Sequence, residues 1–443
     1  MAENQYEAFI PYSRKDIIYL CLAEGHLDDT AAAEFQSFCE ILSAFYHFRF
    51  HKTLENIKEN YQVFDPGGDL KPLYEPATEE YEQMEETVVH SMKHVLERAN
   101  YSPLPEKIIH RALESRSLIS LRTEVDFNDF DQFLCYYRGD VDIVRTVKKF
   151  YFWEKEETVD ILERLVLLIK FKGKGYFQAQ EKQTKRDTLD RKFKPGKMYI
   201  YFYKNIPKFD IELLFPNIQT SMTVRDRLMV AVPAIGAAVP LILKTLPNML
   251  LLVAAILIAI NAQSVLQAID VEEEQARNIM PVLVATMSLL IALGGFAFKQ
   301  YSQYKSKKIK FHKEVTDTLF FKNLANNTSV FQCLTDIAEE EECKEILLVY
   351  YHLLTSSEPL TPEQLDAKIE AWMLEKTGTQ INFDIQGPLQ NLQDIRGRRK
   401  ESESEQPLLE YDAQGRCQIP SLQKARSILD YVWDNAFRYN GAI

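Results

Sequence analysis

The sequence predicts an α+β protein: an N-terminal helical plus antiparallel-sheet domain, a central transmembrane helical hairpin, and a C-terminal winged-helix-like α+β domain. Three observations carry that expectation. Apolar residues recur at three- and four-residue spacing through most of the first hundred positions. Beyond Ser117 the chain turns to β-branched and aromatic runs. The longest apolar runs gather between Leu228 and Phe298. At 443 residues the chain is long enough for two or three domains with cores of their own.

The first helix signal is "TAAAEFQSFCEILSAFYHFRFHKTLENIKENY", closed by the turn residues of "FDPGGD" at Phe64–Asp69. A second helix is expected over Glu79–Arg98, and "NYSPLPEKIIHRAL" resets the chain for another start, with Ser102 and its prolines as the signal. Strands are expected in "LISLRTEV", "IVRTVKKFYFW", "ILERLVLLIKF" and "MYIYFYKNI". Between the last two, Lys170 to Lys204 holds eleven Lys/Arg against three acids, net +8, read either as a solvated loop or as a patch for lipid phosphates or RNA. In "YKNIPKFDIELLFPN", Pro207 breaks a strand and a short helix follows. Residues 1–227 together are expected to form a cytoplasmic α+β domain.

Charge-free runs of about twenty residues, at 1.5 Å rise each, match a hydrocarbon core of about 30 Å. Thr245–Ile269 and Ile279–Phe298 are two such runs, so spans are expected at 246–267 and 279–298. The loop between them, "DVEEEQARN", carries four acids and one Arg277, whereas Lys299, Lys305, Lys307, Lys308, Lys310 and Lys313 follow the second run. That asymmetry puts the lysines inside, against anionic headgroups, and the acidic turn outside. Residues 228–243 form a shorter apolar helix with Pro233, Gly236 and Pro240, read as interfacial or re-entrant, with a third span as the alternative.

Residues 311–443 are expected to form an acidic winged-helix-like domain. "FQCLTDIAEEEECKEILLVYYHLL" reads as a helix with one apolar stripe. Thr361, Pro362 and Gln364 spell a capping box, and Gly378 closes the helix they open. A helix over Asp384–Ile395, a hairpin around "DAQGR" and a last helix "SLQKARSILDYVWDNAF" complete the order. With thirteen Lys/Arg against twenty-two Asp/Glu in 311–443, net −9, protein contact is favoured over DNA.

A net charge of −12 argues against general nucleic-acid affinity, so nucleic acid is not an expected partner. Six scattered cysteines without a C-x-x-C suit reduced thiols. "MAENQYEAFIPYSRKD" shows no signal-peptide pattern, and the expected place is an integral membrane location, a bacterial inner or other internal membrane with the soluble domains cytoplasmic.

No phosphate-binding, zinc-protease, nucleophile-elbow or EF-hand motif is present. Two H-x-x-x-H pairs, His47/His51 and His90/His94, put imidazoles on one helix face each, with Glu55 and Glu86 on the same faces. Side by side they could bind a metal ion; chance occurrence on exposed helix faces is the plainer reading. Asp336, Glu339, Glu340 and Cys343 likewise read as a solvated helix face before they read as a cation site.

Several stretches carry a family resemblance: "FIPYSRKD", "YQVFDPGGD", "ERANYSPL", "YYRGD", "YIYFYKNIPKFDIELLFPN" and "LFFKNLANNTSVFQCLTDIAEEEECKEILLVYYHLL". In their order the chain resembles the transmembrane protein 143 family, which is uncharacterised. The resemblance implies a multi-pass protein with two soluble flanks and transfers no catalytic residue or cofactor.

The expected function is a membrane-anchored interaction or scaffold protein with lipids, protein partners or a second copy of itself as partners. A metal- or redox-linked membrane enzyme using the paired histidines is the alternative, and an oligomeric transport component a weaker one.

Overall fold

The computed structural model describes residues 9–68, 73–74, 76–105, 107–109, 122–149, 153–184, 193–221, 319–398 and 404–436, with scattered helical positions from 288 to 316. The chain divides into two units. One draws on Met1–Ile108, Phe127–Lys208 and Lys322–Ile443, the other on Ile109–Asp126 and Phe209–Phe321.

In the first unit, α1 (Arg14–Ala23) starts where the Ser13 hydroxyl accepts the Asp16 N–H, and α2 (Asp29–Tyr61) where Asp28 accepts that of Ala31. Each cap satisfies an amide that the first helical turn leaves without a partner. Turn residues from Phe64 to Gly68 end the α2 region, and α3 (Thr78–Arg98) follows. After α3 the chain reverses at Asn100, a non-glycine residue at φ 59°, while Tyr101 N–H bonds back to the Leu96 carbonyl at 2.9 Å.

A five-stranded antiparallel sheet comes next, in the order β1 (Ser102–Pro103), β3 (Phe130–Lys149), β4 (Trp153–Phe171), β5 (Met198–Pro207) and β7 (Asn323–Asn326). Helix α4 (Lys174–Thr184) lies between β4 and β5. The period-2 pattern of β5 is legible in its burial: Met198, Ile200 and Phe202 face the core. Tyr199, Tyr201 and Tyr203 stack along the other face, with rings 6.4 and 5.8 Å apart. β5 pairs with β4 only from Ile161 to Lys170, so the β3–β4 hairpin continues as a two-stranded ribbon to the Lys149–Trp153 pair. Residues 143–149 belong to β3 and Trp153 to β4, so 143–153 are not the single strand their composition suggests; residues 150–152 lie outside the described residues. In the second unit, β2 (Arg122–Glu124) pairs with β6 (Gln219–Ser221).

Helix α5 (Thr328–Leu354) runs through the core, and every residue from Glu341 to His352 is buried. Phe38 stacks on Tyr350 with ring centroids 4.2 Å apart, and Phe35 tilts against Tyr351 at 5.7 Å. Burying such rings contributes about 2–3 kcal/mol each. Around α5 pack α1, α2, α3, α6 (Pro362–Thr377) and α7 (Gln386–Asp394). The expected capping box at Thr361/Gln364 forms, and Gly378 sits at φ 72°, the left-handed cap that stops α6. The "DAQGR" hairpin joins β10 (Glu410–Tyr411) to β11 (Cys417–Gln418), and α8 (Leu422–Asp434) follows. The small pair β8 (Arg396–Gly397) and β9 (Gln406–Pro407) precedes them. One continuous core thus includes Phe35 and Leu42 from the N-terminal part together with Leu365 and Leu429 from the C-terminal part.

The transmembrane hairpin is corrected. Among the described residues no helix is long and apolar enough to cross a membrane, which overturns the integral-membrane, multi-pass and inner-membrane expectations. Residues 228–243 and 246–267 lie outside the described residues, as do most of 279–298. The single apolar stripe expected for α5 is corrected from Glu341 to His352, where the helix is covered on all sides; in its first half Ser329, Gln332 and Asp336 remain exposed.

Candidate functional site

A helix buried all round must satisfy its polar side chains inside the protein. α5 carries Glu341, Glu342, Lys344 and Glu345 in its buried section. Their partners come from distant parts of the chain. Glu341 accepts the Ile10 N–H at 3.2 Å and pairs with Arg138 of β3 at 3.7 Å. Lys344 donates to the carbonyls of Ile10 at 2.6 Å and Tyr12 at 3.1 Å, and to Glu341 at 2.9 Å. Arg98, near the end of α3, binds Glu342 and donates to the Asn391 side-chain oxygen of α7 at 2.9 Å. Glu345 accepts the Asn100 amide at 2.9 Å. Residues 9–14 thereby form a strap across α5. Its Arg14 reaches Glu340 at 3.6 Å and Glu339 at 3.9 Å, and Phe9 lies under the Arg138 guanidinium at 4.2 Å.

Burial pushes the Glu345 carboxyl up to about 8, with Asn100 opposing and the nearby carboxylates of Glu341, Asp384 and Glu342 reinforcing the rise. Burial also raises Glu342, against the pull of Arg98 and Arg49. Glu341 and Glu342 are therefore not part of a solvated face, and Glu339 and Glu340 are half-buried beside them. Asp336, further towards the N-terminus, is exposed.

A second buried ion site lies between α3 and the sheet. Lys170 of β4 binds Glu85 and, at 2.6 Å, Asp131, with the Tyr81 ring 5.4 Å away. Burial works against its ammonium, but Asp131 and Glu85 outweigh it and hold Lys170 above its ordinary range. Lys197 and Lys194 donate to the Val63 and Pro66 carbonyls. The basic stretch 170–204 thus supplies structural cations, and much of it is strand and helix; residues 185–192 lie outside the described residues.

The four histidines do not come together. α2 and α3 turn Leu42, Tyr46, Phe50, Val88, Met92 and Val95 to the core, which leaves His47, His51, His90 and His94 on exposed faces. His47 Nδ1 lies 2.9 Å from Glu339 Oε2, and Glu55 pairs with Lys58 at 2.9 Å. Burial, then Arg98 and Arg49, lowers His94 below its ordinary value. Among the described residues no group of three or more His, Cys, Asp or Glu side chains could hold a metal ion.

Of the basic cluster, Lys299, Lys305, Lys310 and Lys313 occupy exposed helical positions; Lys307 and Lys308 lie outside the described residues. The same stretch exposes Ile291 (69%), Phe298 (73%), Ile309 (60%) and Phe320 (74%). At 3.6 residues per turn these four fall within about 40° of one another. Lys305 and Lys313 fall on either side of Ile309, and Lys299 and Lys310 further round. By this periodicity the described positions form an apolar stripe edged by cations, with exposed Tyr301 and Phe321 to either side of it. Ile291 and Phe298 fall within the expected span at 279–298, and Ile309 and Phe320 beyond it. The 11-residue steps from Phe298 to Ile309 to Phe320 were the signal that could have separated the stripe from the span.

Residues 162–329 match a family model described as a protein of unknown function, DUF3754. The match carries no activity. It covers less than half of the chain, and nothing in it links the chain to the transmembrane protein 143 family. No solved structure matches.

Proposed function

We propose that this protein is a binding module whose partner is an anionic lipid surface, met by a helical face lying along it. The observation that carries the reading is the exposed stripe of Ile291, Phe298, Ile309 and Phe320 edged by Lys299, Lys305, Lys310 and Lys313. Aromatic and aliphatic side chains bury to a shallow depth at such an interface, and each lysine near anionic headgroups contributes about 1 kcal/mol. This face needs no membrane-crossing segment.

The test mixes the full chain with phosphatidylcholine vesicles, with and without phosphatidylglycerol, followed by flotation. Binding is expected only with the anionic lipid, and raised salt weakens it. Replacing Lys299, Lys305, Lys310 and Lys313 together by Gln reduces affinity by at least about tenfold. Equal binding to neutral vesicles, no binding to either, or indifference to the four substitutions sinks the reading.

A further inference from the structure

The strap at residues 9–14 belongs to no helix or strand before Arg14, yet Ile10 is 2% exposed. Both polar groups of its Ile10 residue are held by side chains of α5: Glu341 accepts the N–H and Lys344 donates to the C=O. Main-chain groups buried this way are ordinarily paired by backbone, so the hold on the strap depends on the charge state around one helical turn.

Glu345 lies one turn beyond Glu341, and its hydrogen bond comes from the uncharged Asn100 amide. The cations near it have other commitments. Lys344 serves Ile10, Tyr12 and Glu341; Arg138 serves Glu341 and the Ala99 carbonyl; Arg98 serves Glu342 and Asn391. The remaining charged groups facing this turn are acidic: Glu341 and Glu342 on α5 itself and Asp384 ahead of α7. Arg49 of α2 acts on Glu342, and Arg14 of α1 on Glu339 and Glu340.

We propose that residues 9–14 are a latch, released from α5 when Glu345 ionises. A third carboxylate beside Glu341 and Glu342 has no cation of its own. Because an unpaired buried carboxylate is the costlier state, it draws Lys344 or Arg138 away from the strap side of the cluster. The side-chain clamp on Ile10 then loosens, while α5 keeps its own backbone ladder and its apolar neighbours. Burial that pushes the Glu345 carboxyl up to about 8 puts the release just above neutrality. The latch is independent of lipid binding and stands if that reading fails.

Amide hydrogen exchange on the full chain tests it, corrected for the intrinsic rate, from about pH 6 to about pH 9. The Ile10 amide is expected to lose protection by roughly tenfold per pH unit above the midpoint, while the amides of Leu348–Tyr350 stay protected. Glu345→Gln keeps the neutral side chain and is expected to hold Ile10 protected throughout. Lys344→Met is expected to release it at every pH. A wild-type Ile10 protection that does not change with pH overturns the proposal. So does the same loss in Glu345→Gln, a parallel loss in Leu348–Tyr350, or full protection in Lys344→Met.

Discussion

Lys344 donates to the carbonyl of Ile10 at 2.6 Å, joining residues 334 positions apart in the chain. The same ammonium neutralises Glu341 one turn earlier on α5. A buried lysine with a carboxylate and two carbonyls around it is fully used, so its removal takes a donor from the Ile10 and Tyr12 carbonyls and leaves Glu341 only Arg138 and the Ile10 N–H.

Lys344→Met is therefore expected to destabilise the protein by about 3–5 kcal/mol, because Glu341 remains buried with a weakened partner set. The double variant Glu341→Leu/Lys344→Met recovers part of that loss, since an apolar pair has no charge to desolvate. Urea unfolding of the two single variants and the double variant gives the coupling. If the losses simply add, the pair is not acting as a clamp.

Glu345 and His352 make stability depend on pH in opposite senses. A carboxyl raised to about 8 in the fold and ordinary when unfolded binds its proton more tightly in the native state. Its contribution is complete below the unfolded value and is lost as pH rises towards 8, by up to about 5 kcal/mol. His352 is lowered to about 4, first by burial and then by Lys368, so the native state favours its neutral form. That contribution is present above the ordinary histidine range and is lost as pH falls towards 4. Glu345→Gln is expected to flatten the alkaline side of the stability profile, and His352→Phe the acidic side, both read from urea midpoints across pH.

Lys170→Met is expected to cost about 2–4 kcal/mol, because Glu85 then lies buried without its cation. Charge deletion on the partner tests the cause: Glu85→Gln with Lys170→Met should be more stable than Lys170→Met alone. Thermal unfolding of the wild type and the two variants decides it.

Gly139 of β3 sits at φ +75°, and a Cβ there would lie 2.9 Å from the Glu163 Cβ. Both the left-handed backbone and the contact oppose a side chain. Gly139→Ala is expected to destabilise by about 1–2 kcal/mol, and Glu163→Gly in the same chain to relieve only the steric part. A neutral Gly139→Ala would show that β3 and β4 adjust freely at this point.

Much of the secondary structure was legible because its signals are local. The Thr361/Gln364 capping box, the Gly378 stop, the turn residues from Phe64 to Gly68 and the end of β5 at Pro207 each depend on residues a few positions apart. The part of β3 from Phe130 to Asp142 was missed, since Asp131, Gly139, Asp140 and Asp142 interrupt the apolar alternation that marks a strand. The exposed stripe at Ile291, Phe298, Ile309 and Phe320 was hidden by overall hydrophobicity, which outweighed its periodicity.

What the sequence determined by itself is the long helices α2, α3, α5, α6 and α8, strand β5, the Thr361/Gln364 cap with its Gly378 stop, and the one-face pairing of His47 with His51 and of His90 with His94. Whether "EEEECKE" is a solvated face or a buried ionic cluster was decided only by tertiary structure. Its neutralising partners, Arg14, Arg98 and Arg138, are brought in from α1, α3 and β3. A carboxylate's solvation depends on what surrounds it in space, and no spacing along α5 records that Arg98 and the strap will cover this turn.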